Sequence, residues 1–466
     1  MAREEFNVAT IDSAEGSYSA QQWSSYLDGG ARDRENAGKR FARRTEGCGF
    51  SALCVGMLIA IVFAIVLLCV GFIVVYENEG QVVATVDLFT EDLPPEQAVW
   101  FDSNLAELRN AFRVVEENKK RAKNVILFVA LDSAVPSFGD YPRPIWESFP
   151  HLALLRPTTM VERTARASFS PTSMFCGIET GWHTIGFDSA VKPWDACVST
   201  PNSSSTHHHH HHHQAASILQ WAQTVGRRTG VITNGEIVQP FPAALYAHAA
   251  NASWLHDSPD MLLCPDVRSQ LLRGPVGKKL NVIAGKLTCP DEFCREAFEA
   301  EWENERLVEG TSYKVVNELS DLLDPTLHDA EYSLGLYDQS ALAESTAFRD
   351  LVVGALNVLE SPEGFVLVAI ADPSDAQLGA PREIDSAVRA TLKKLSGALD
   401  DSLIVVVRSD VRDGDAGFAT VHAIGPMSHL LHRVHNETFL AHFISYAARI
   451  GRFRDADLTN LILQIV

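Results

Sequence analysis

The chain has 466 residues, 59 acidic against 39 basic, for a formal charge of −20. That balance repels phosphate backbones and excludes non-specific nucleic-acid binding. The length and the ordinary glycine and proline content fit one large globular domain or two small ones with appendages, and 8 cysteines are too few for a core that depends on disulfides.

Residues 1–46 are rich in Ser, Ala, Gly and charge and poor in large apolar side chains, the composition of a disordered tail. No charged residue occurs from Gly47 to Tyr76, and SALCVGMLIAIVFAIVLLCVGFIVV is almost wholly apolar. About 20 such residues span a bilayer as a helix, so 47–76 reads as a transmembrane segment. A cleaved signal peptide has its basic region near the first residue and a shorter apolar run, unlike this arrangement. Arg32, Arg34, Lys39, Arg40, Arg43 and Arg44 precede the span, and Glu77 and Glu79 follow it. The positive-inside rule then predicts a cytosolic N-terminus, a type II signal-anchor, and a lumenal or extracellular remainder.

Residues 77–97 are acidic, include Pro94-Pro95 and read as a stalk. The ectodomain is taken as 98–466. It opens with a predicted helix over 98–118, where Val99, Leu105, Leu108, Phe112 and Val115 recur at helical steps. NVILFVAL (124–131), RTGVIT (228–233), LNVIAG (280–285), GFVLVAIA (364–371) and SLIVVVRS (402–409) are continuous apolar runs, the signature of strands buried on both faces. SILQWAQTVG (217–226) and STAFRDLVVGALNVLES (345–361) read as helices between them. The alternation predicts an α/β fold with a large, mostly parallel sheet flanked by helices.

Asn202, Asn251 and Asn436 each open an N-glycosylation sequon on the exported side. Cys176, Cys197, Cys264, Cys289 and Cys294 also lie there, where disulfides persist. Cys289 and Cys294 are close enough in sequence to form a local bridge. The histidine run His207–His213 reads as a low-complexity insertion or an internal tag, because contiguous histidines define no tetrahedral metal site.

Several segments together resemble the animal-type alkaline phosphatases. They are KNVILFV, SILQWAQTVGRRTGVIT followed by FPAALYAHAANASW (241–254), SLGLYD (333–338) and GPMSHLLHRVHNETFLAHFISYAA (425–448). The resemblance runs from about residue 98 to 455. It implies an α/β sandwich around a large central sheet, usually a homodimer. It also implies a serine nucleophile with two zinc ions and a magnesium ion at the carboxyl ends of the strands.

The positions that would carry this chemistry are altered. Against the family's D-S-A-G-T-A-T-A-Y-L-C-G, the chain reads RASFSPTSMFCG, which puts Arg166 at the metal aspartate and Ala167 at the nucleophile. The aspartate closing the first strand becomes Leu131, with Asp132 one step further on. In AIADPSDAQLG (369–379) the magnesium glutamate becomes Ile370 and a zinc histidine becomes Gly379; only Asp375 matches a zinc ligand. In VRSDVR (407–412) the zinc aspartate and histidine become Ser409 and Asp410. The supporting histidine, serine and phosphate-clamping arginine become Gln239, Phe241 and Ala252. A methyl group cannot attack phosphorus, and zinc needs three or four N, O or S ligands. No zinc or magnesium is therefore expected.

The resemblance further implies a Cys197–Cys264 disulfide and a buried free thiol at Cys176. It matches Tyr337-Asp338 to part of a calcium site whose other ligands are missing, so no calcium is expected. The family's long insertion before the final segment is nearly absent after Asp410, which weakens the case for a homodimer. These expectations describe a catalytically inactive, membrane-anchored relative that binds a protein partner or acts as a scaffold. The competing expectation is an active phosphomonoester hydrolase whose site has moved to Ser168 or Ser170, with Asp132 and Asp410 nearby.

Overall fold

The computed structural model describes residues 118–132, 143–161, 166–193, 213–258, 264–289, 293–372, 380–412 and 415–455. The chain divides into two compact units, Met1–Arg113 and Val114–Val466, and the described residues all belong to the second. The expected span 47–76, the stalk and nearly all of the expected helix 98–118 lie outside the described residues. Among the described residues no helix is long and apolar enough to cross a membrane.

The strands are β1 (Asn124–Asp132), β2 (His151–Arg156), β3 (Thr159–Val161), β4 (Arg166–Ser168), β5 (Arg228–Glu236), β6 (Val282–Lys286), β7 (Tyr313–Val315), β8 (Tyr332–Leu336), β9 (Phe365–Ala371), β10 (Ser402–Arg412), β11 (Asp415–Ala416), β12 (Ala419–Ile424) and β13 (Arg433–Asn436). One sheet runs β13-β2-β12-β10-β1-β9-β5-β6-β8-β7, with β11 paired to β10, while β3 and β4 form a separate two-stranded ribbon. From β10 through β1, β9, β5, β6 and β8 to β7 every pairing is parallel. Only β12, antiparallel to β10 and β2, reverses direction within the main path.

The apolar runs become the buried centre of this sheet because each strand feeds two cores. Val125, Leu127 and Val129 of β1 enter one cluster, and Ile126, Phe128 and Ala130 enter the other. The same alternation holds in β9, where Val366, Val368 and Ile370 face the first core and Leu367, Ala369 and Ala371 the second. Fully burying such a side chain contributes roughly 1.5–3 kcal/mol, so both faces must be covered.

Helices α1 (Pro171–Cys176), α2 (Ile218–Thr224), α3 (Pro240–Ala243), α4 (Val267–Arg273) and α5 (Cys294–Glu309) cover the first face, joined by α8 (Phe439–Ala448). Helices α6 (Ala347–Leu359) and α7 (Ala380–Lys394) cover the second. The capping residues explain the starts. Ser217 accepts from the Gln220 N–H at α2, and Asp266 accepts from the Ser269 N–H at α4 over 2.6 Å. In α5 only Phe298, Trp302 and Arg306 are buried, a stripe at four-residue steps. The Arg306 guanidinium lies 4.2 Å over the Tyr332 ring. The local bridge Cys289–Cys294 forms, and Cys264 is disulfide-bonded; Cys197 lies outside the described residues.

Candidate functional site

A cavity of about 340 Å³ opens at the carboxyl ends of β1, β5 and β9, on the face covered by α1 and α3. Ligands of open α/β sheets bind at such strand ends. Its walls bring together Leu131, Gln239, Phe241, Ala252 and Ile370, five of the altered positions named from sequence. These come from two strand ends, the start of α3 and a loop, far apart in sequence, so their convergence is a property of the fold.

The register explains how the strand positions meet. Leu131 of β1 pairs with Ser409 of β10, and Val129 pairs with Ile370 of β9. Leu131 and Ile370 both pack against the first core. Ser409 is fully buried, and its hydroxyl has no hydrogen-bond partner among the described residues. Asp132 and Asp410 pair one step beyond, on the alternate step of their strands.

The remaining walls are built by short helices. Ser170-Pro171 starts α1 with proline at its first turn, and Gly177 ends it at φ 71°. Phe169 and Ser170 line the cavity just before that start. Arg166 and Ala167 belong to the β3–β4 ribbon, where Ala167 pairs with Met160. Gln239 precedes α3, Phe241 meets the Phe175 ring edge-on at 6.4 Å, and the Ala252 N–H donates to the His183 carbonyl.

Trp182, His183, Glu236 and Asp372 also line the cavity, and none was singled out from sequence. Trp182 and His183 place their rings 5.2 Å apart. The Glu236 carboxylate accepts from the Thr288 N–H at 2.9 Å and from the Thr288 hydroxyl, and pairs with Lys286 at 3.6 Å. The Asp372 N–H donates to Asn234 Oδ1 at 2.7 Å, and Asn234 Nδ2 donates to Glu383 of α7. Burial pushes the Glu383 carboxyl up from 4.5 to about 7. Asp372 follows β9 directly, so the strand-end rule offered a signal for it; Trp182 and His183 lie in an irregular loop with no pattern.

The donor set can be weighed against divalent metals. Leu131 and Ile370 offer the cavity two hydrocarbon chains, and Ser409, buried beside Leu131 in the sheet, a neutral hydroxyl, a set that does not fit zinc or magnesium. Among the described residues no group of three His, Cys, Asp or Glu could hold a metal ion. Asp375 and Gly379 lie outside the described residues. Arg295 Nη1 pairs with Asp338 at 3.4 Å, and its Nη2 donates to the Leu336 carbonyl, so a fixed cation sits at the Tyr337-Asp338 corner.

The sequons separate by exposure. Asn251 is 2% exposed, and its Oδ1 accepts from both the N–H and the hydroxyl of Ser253. Asn251 is thus an enclosed acceptor in the folded chain. Asn436 is exposed on the edge strand β13, and Asn202 lies outside the described residues. Cys176 is buried and free, as expected, and burial pushes its thiol up to about 12. His213, the last residue of the histidine run, contacts Asp188 at 2.8 Å; the rest of the run lies outside the described residues.

Residues 131–370, just over half the chain, match the alkaline phosphatase family. The chain belongs to the alkaline phosphatase family. It is similar to the membrane-bound alkaline phosphatase of Bombyx mori, 27% identical with 61% of this chain and 59% of that one covered. The human tissue-nonspecific isozyme is 24% identical, with 62% of each chain covered. Alkaline phosphatase 4 of Drosophila melanogaster is 23% identical over 70% of this chain and 63% of its own. The chain thus spans less than two thirds of the length of these relatives. In fold it is similar to the alkaline phosphatase of the Antarctic bacterium TAB5, with a TM-score of 0.51 at 15% identity over 72% of this chain and all of that one.

Proposed function

We propose that this alkaline phosphatase relative is a pseudophosphatase, a type II membrane protein whose ectodomain works by binding or as a scaffold. The single observation behind this reading is the cavity wall. Five positions that would carry metal-supported chemistry or phosphate binding meet there as Leu131, Gln239, Phe241, Ala252 and Ile370. A phosphate dianion needs fixed positive charge or directed donors. Among the described residues this wall carries no Lys or Arg; beside its apolar and aromatic side chains stand the neutral donors Ser170, Thr233 and Gln239, the His183 imidazole and the carboxylates Glu236 and Asp372. Such a lining suits an apolar or aromatic group of a ligand or protein partner better than a phosphoester. Zinc and magnesium are not expected to be resident. The apolar run 47–76 and its flanking charges support the membrane anchor and the lumenal or extracellular ectodomain.

The test is turnover and metal content. Purified full-length chain should show no chelator-sensitive hydrolysis of an aryl phosphate and less than one zinc per chain once the histidine run is deleted. Zinc-dependent turnover would overturn the reading. One observation favours the rearranged enzyme instead: Ser170 lines the cavity at the start of α1 and makes no capping bond. If hydrolysis is found, Ser170→Ala abolishes it under that second reading and leaves it unchanged if it comes from a contaminant.

A further inference from the structure

A second cavity, of about 410 Å³, lies between α4 and α5, away from the site above. Its walls include Arg268, Ser269, Arg273, Phe293, Cys294 and Glu301. Cys294 is one half of the Cys289–Cys294 bridge and lines the cavity. Arg268 Nη1 donates to Cys294 Sγ at 3.1 Å. Cys294 is also the first residue of the 16-residue helix α5, whose N-terminal N–H groups favour negative charge. The other charges in this wall, Arg273 and Glu301, pair with each other. Glu296, in the first turn of α5, is exposed to solvent.

We propose that Cys289–Cys294 is a thiol-exchange site for a low-molecular-weight thiol, with Cys294 as the leaving sulfur. The two halves of the bridge are unequal. Exchange is faster when the departing sulfur is the better-stabilised thiolate, and a guanidinium and a helix N-terminus both stabilise the Cys294 thiolate. The attacking thiolate therefore bonds to Cys289 Sγ, the S–S bond breaks, and its electron pair leaves on Cys294. A second thiolate then attacks the mixed disulfide at the small-molecule sulfur. This releases the oxidised thiol and leaves Cys289 reduced, taking up a proton from water.

The bridge is poorly suited to be a mere staple. It joins residues only 5 apart in sequence, and a short closed loop gains least from a cross-link. Both sulfurs belong to half-exposed residues, unlike the buried Cys176. The bridge also adjoins Thr288, whose N–H and hydroxyl hold Glu236 at the wall of the first cavity. Opening it frees the segment that anchors that carboxylate.

The test uses the full-length chain, reduced glutathione at millimolar concentration, and iodoacetamide to trap open thiols for mass spectrometry. The bridge should open at least tenfold faster than the disulfide containing Cys264. Trapped intermediates should carry glutathione on Cys289 and the alkyl label on Cys294. Arg268→Gln, with folding verified by circular dichroism, should slow opening about tenfold, the reach of one charge-assisted contact. Opening no faster than at Cys264 would overturn the proposal. So would glutathione divided evenly between the two sulfurs, or an unchanged rate in a folded R268Q chain. The trapping result comes from the unmodified chain, so it stands even if the variant fails to fold.

Discussion

Asn234 Nδ2 donates to Glu383 Oε2 over 2.7 Å, tying α7 to the strand end beside the cavity, because Asn234 Oδ1 also holds the Asp372 N–H. Both side chains are buried. Burial raises the Glu383 carboxyl from 4.5 to about 7. The folded chain therefore keeps a proton that the unfolded chain releases near 4.5. This contribution to stability is full below pH 4.5 and is lost as pH rises to about 7. Glu383→Gln preserves the acceptor and removes the titration. At pH 8 the variant should be more stable than the parent by about 3 kcal/mol. At pH 4 the two should melt together. Thermal melts across that range read the difference, and parallel curves would contradict it.

A restored carboxylate should not restore a metal site. Leu131→Asp puts an acid beside Ser409, its partner on β10, whose hydroxyl has no bond among the described residues, while Ile370 on β9 offers only hydrocarbon. The variant should lose about 2–4 kcal/mol. Added zinc should not recover the loss. Denaturant unfolding with and without zinc measures both effects.

How much of this was legible in the sequence depends on how each residue gives its signal. β1, β9 and β10 were readable because burial on both faces makes them continuously apolar. β12 and β13 are short. In β12 buried and half-buried residues alternate through ATVHAI, and its reversed direction leaves no mark in composition. α5 shows the core only Phe298, Trp302 and Arg306 and otherwise reads as a charged surface. Of the site, Leu131, Gln239, Phe241, Ala252 and Ile370 were reachable through motif positions, and the fold gathers them. Glu236 was not, because what holds it is Thr288, on the loop after β6. Gly235 shows the same limit: a β-carbon there would lie 2.9 Å from Asp372, a constraint visible only in three dimensions.

Calcium should leave the chain unchanged. The corner around Asp338 already holds the Arg295 guanidinium, which also bonds the Leu336 carbonyl and pairs with Glu299 at 2.9 Å. A divalent ion would have to displace a fixed positive charge from an exposed carboxylate. Millimolar calcium should shift the melting temperature of the parent by less than about 1 °C, since binding stabilises only when the site prefers the ion. A rise of several degrees would show a calcium site elsewhere or an arginine that moves aside.

Glycan mapping should separate two sequons that look equivalent on paper. Asn436 is exposed on β13, an outer strand of the main sheet, whereas Asn251 is enclosed and its side-chain oxygen is committed to Ser253. A glycan on Asn436 would also shield the neighbouring Val434, which is 48% exposed, and blunt an edge that otherwise invites strand pairing. In chain secreted or displayed by eukaryotic cells, peptide mapping after enzymatic deglycosylation should find conversion at Asn436 and none at Asn251. Asn436→Gln should lower solubility without lowering the melting temperature, because the side chain makes no contribution to either core. Full occupancy at Asn251 in folded chain would mean that the loop carrying Ala252, and with it one wall of the cavity, is placed differently.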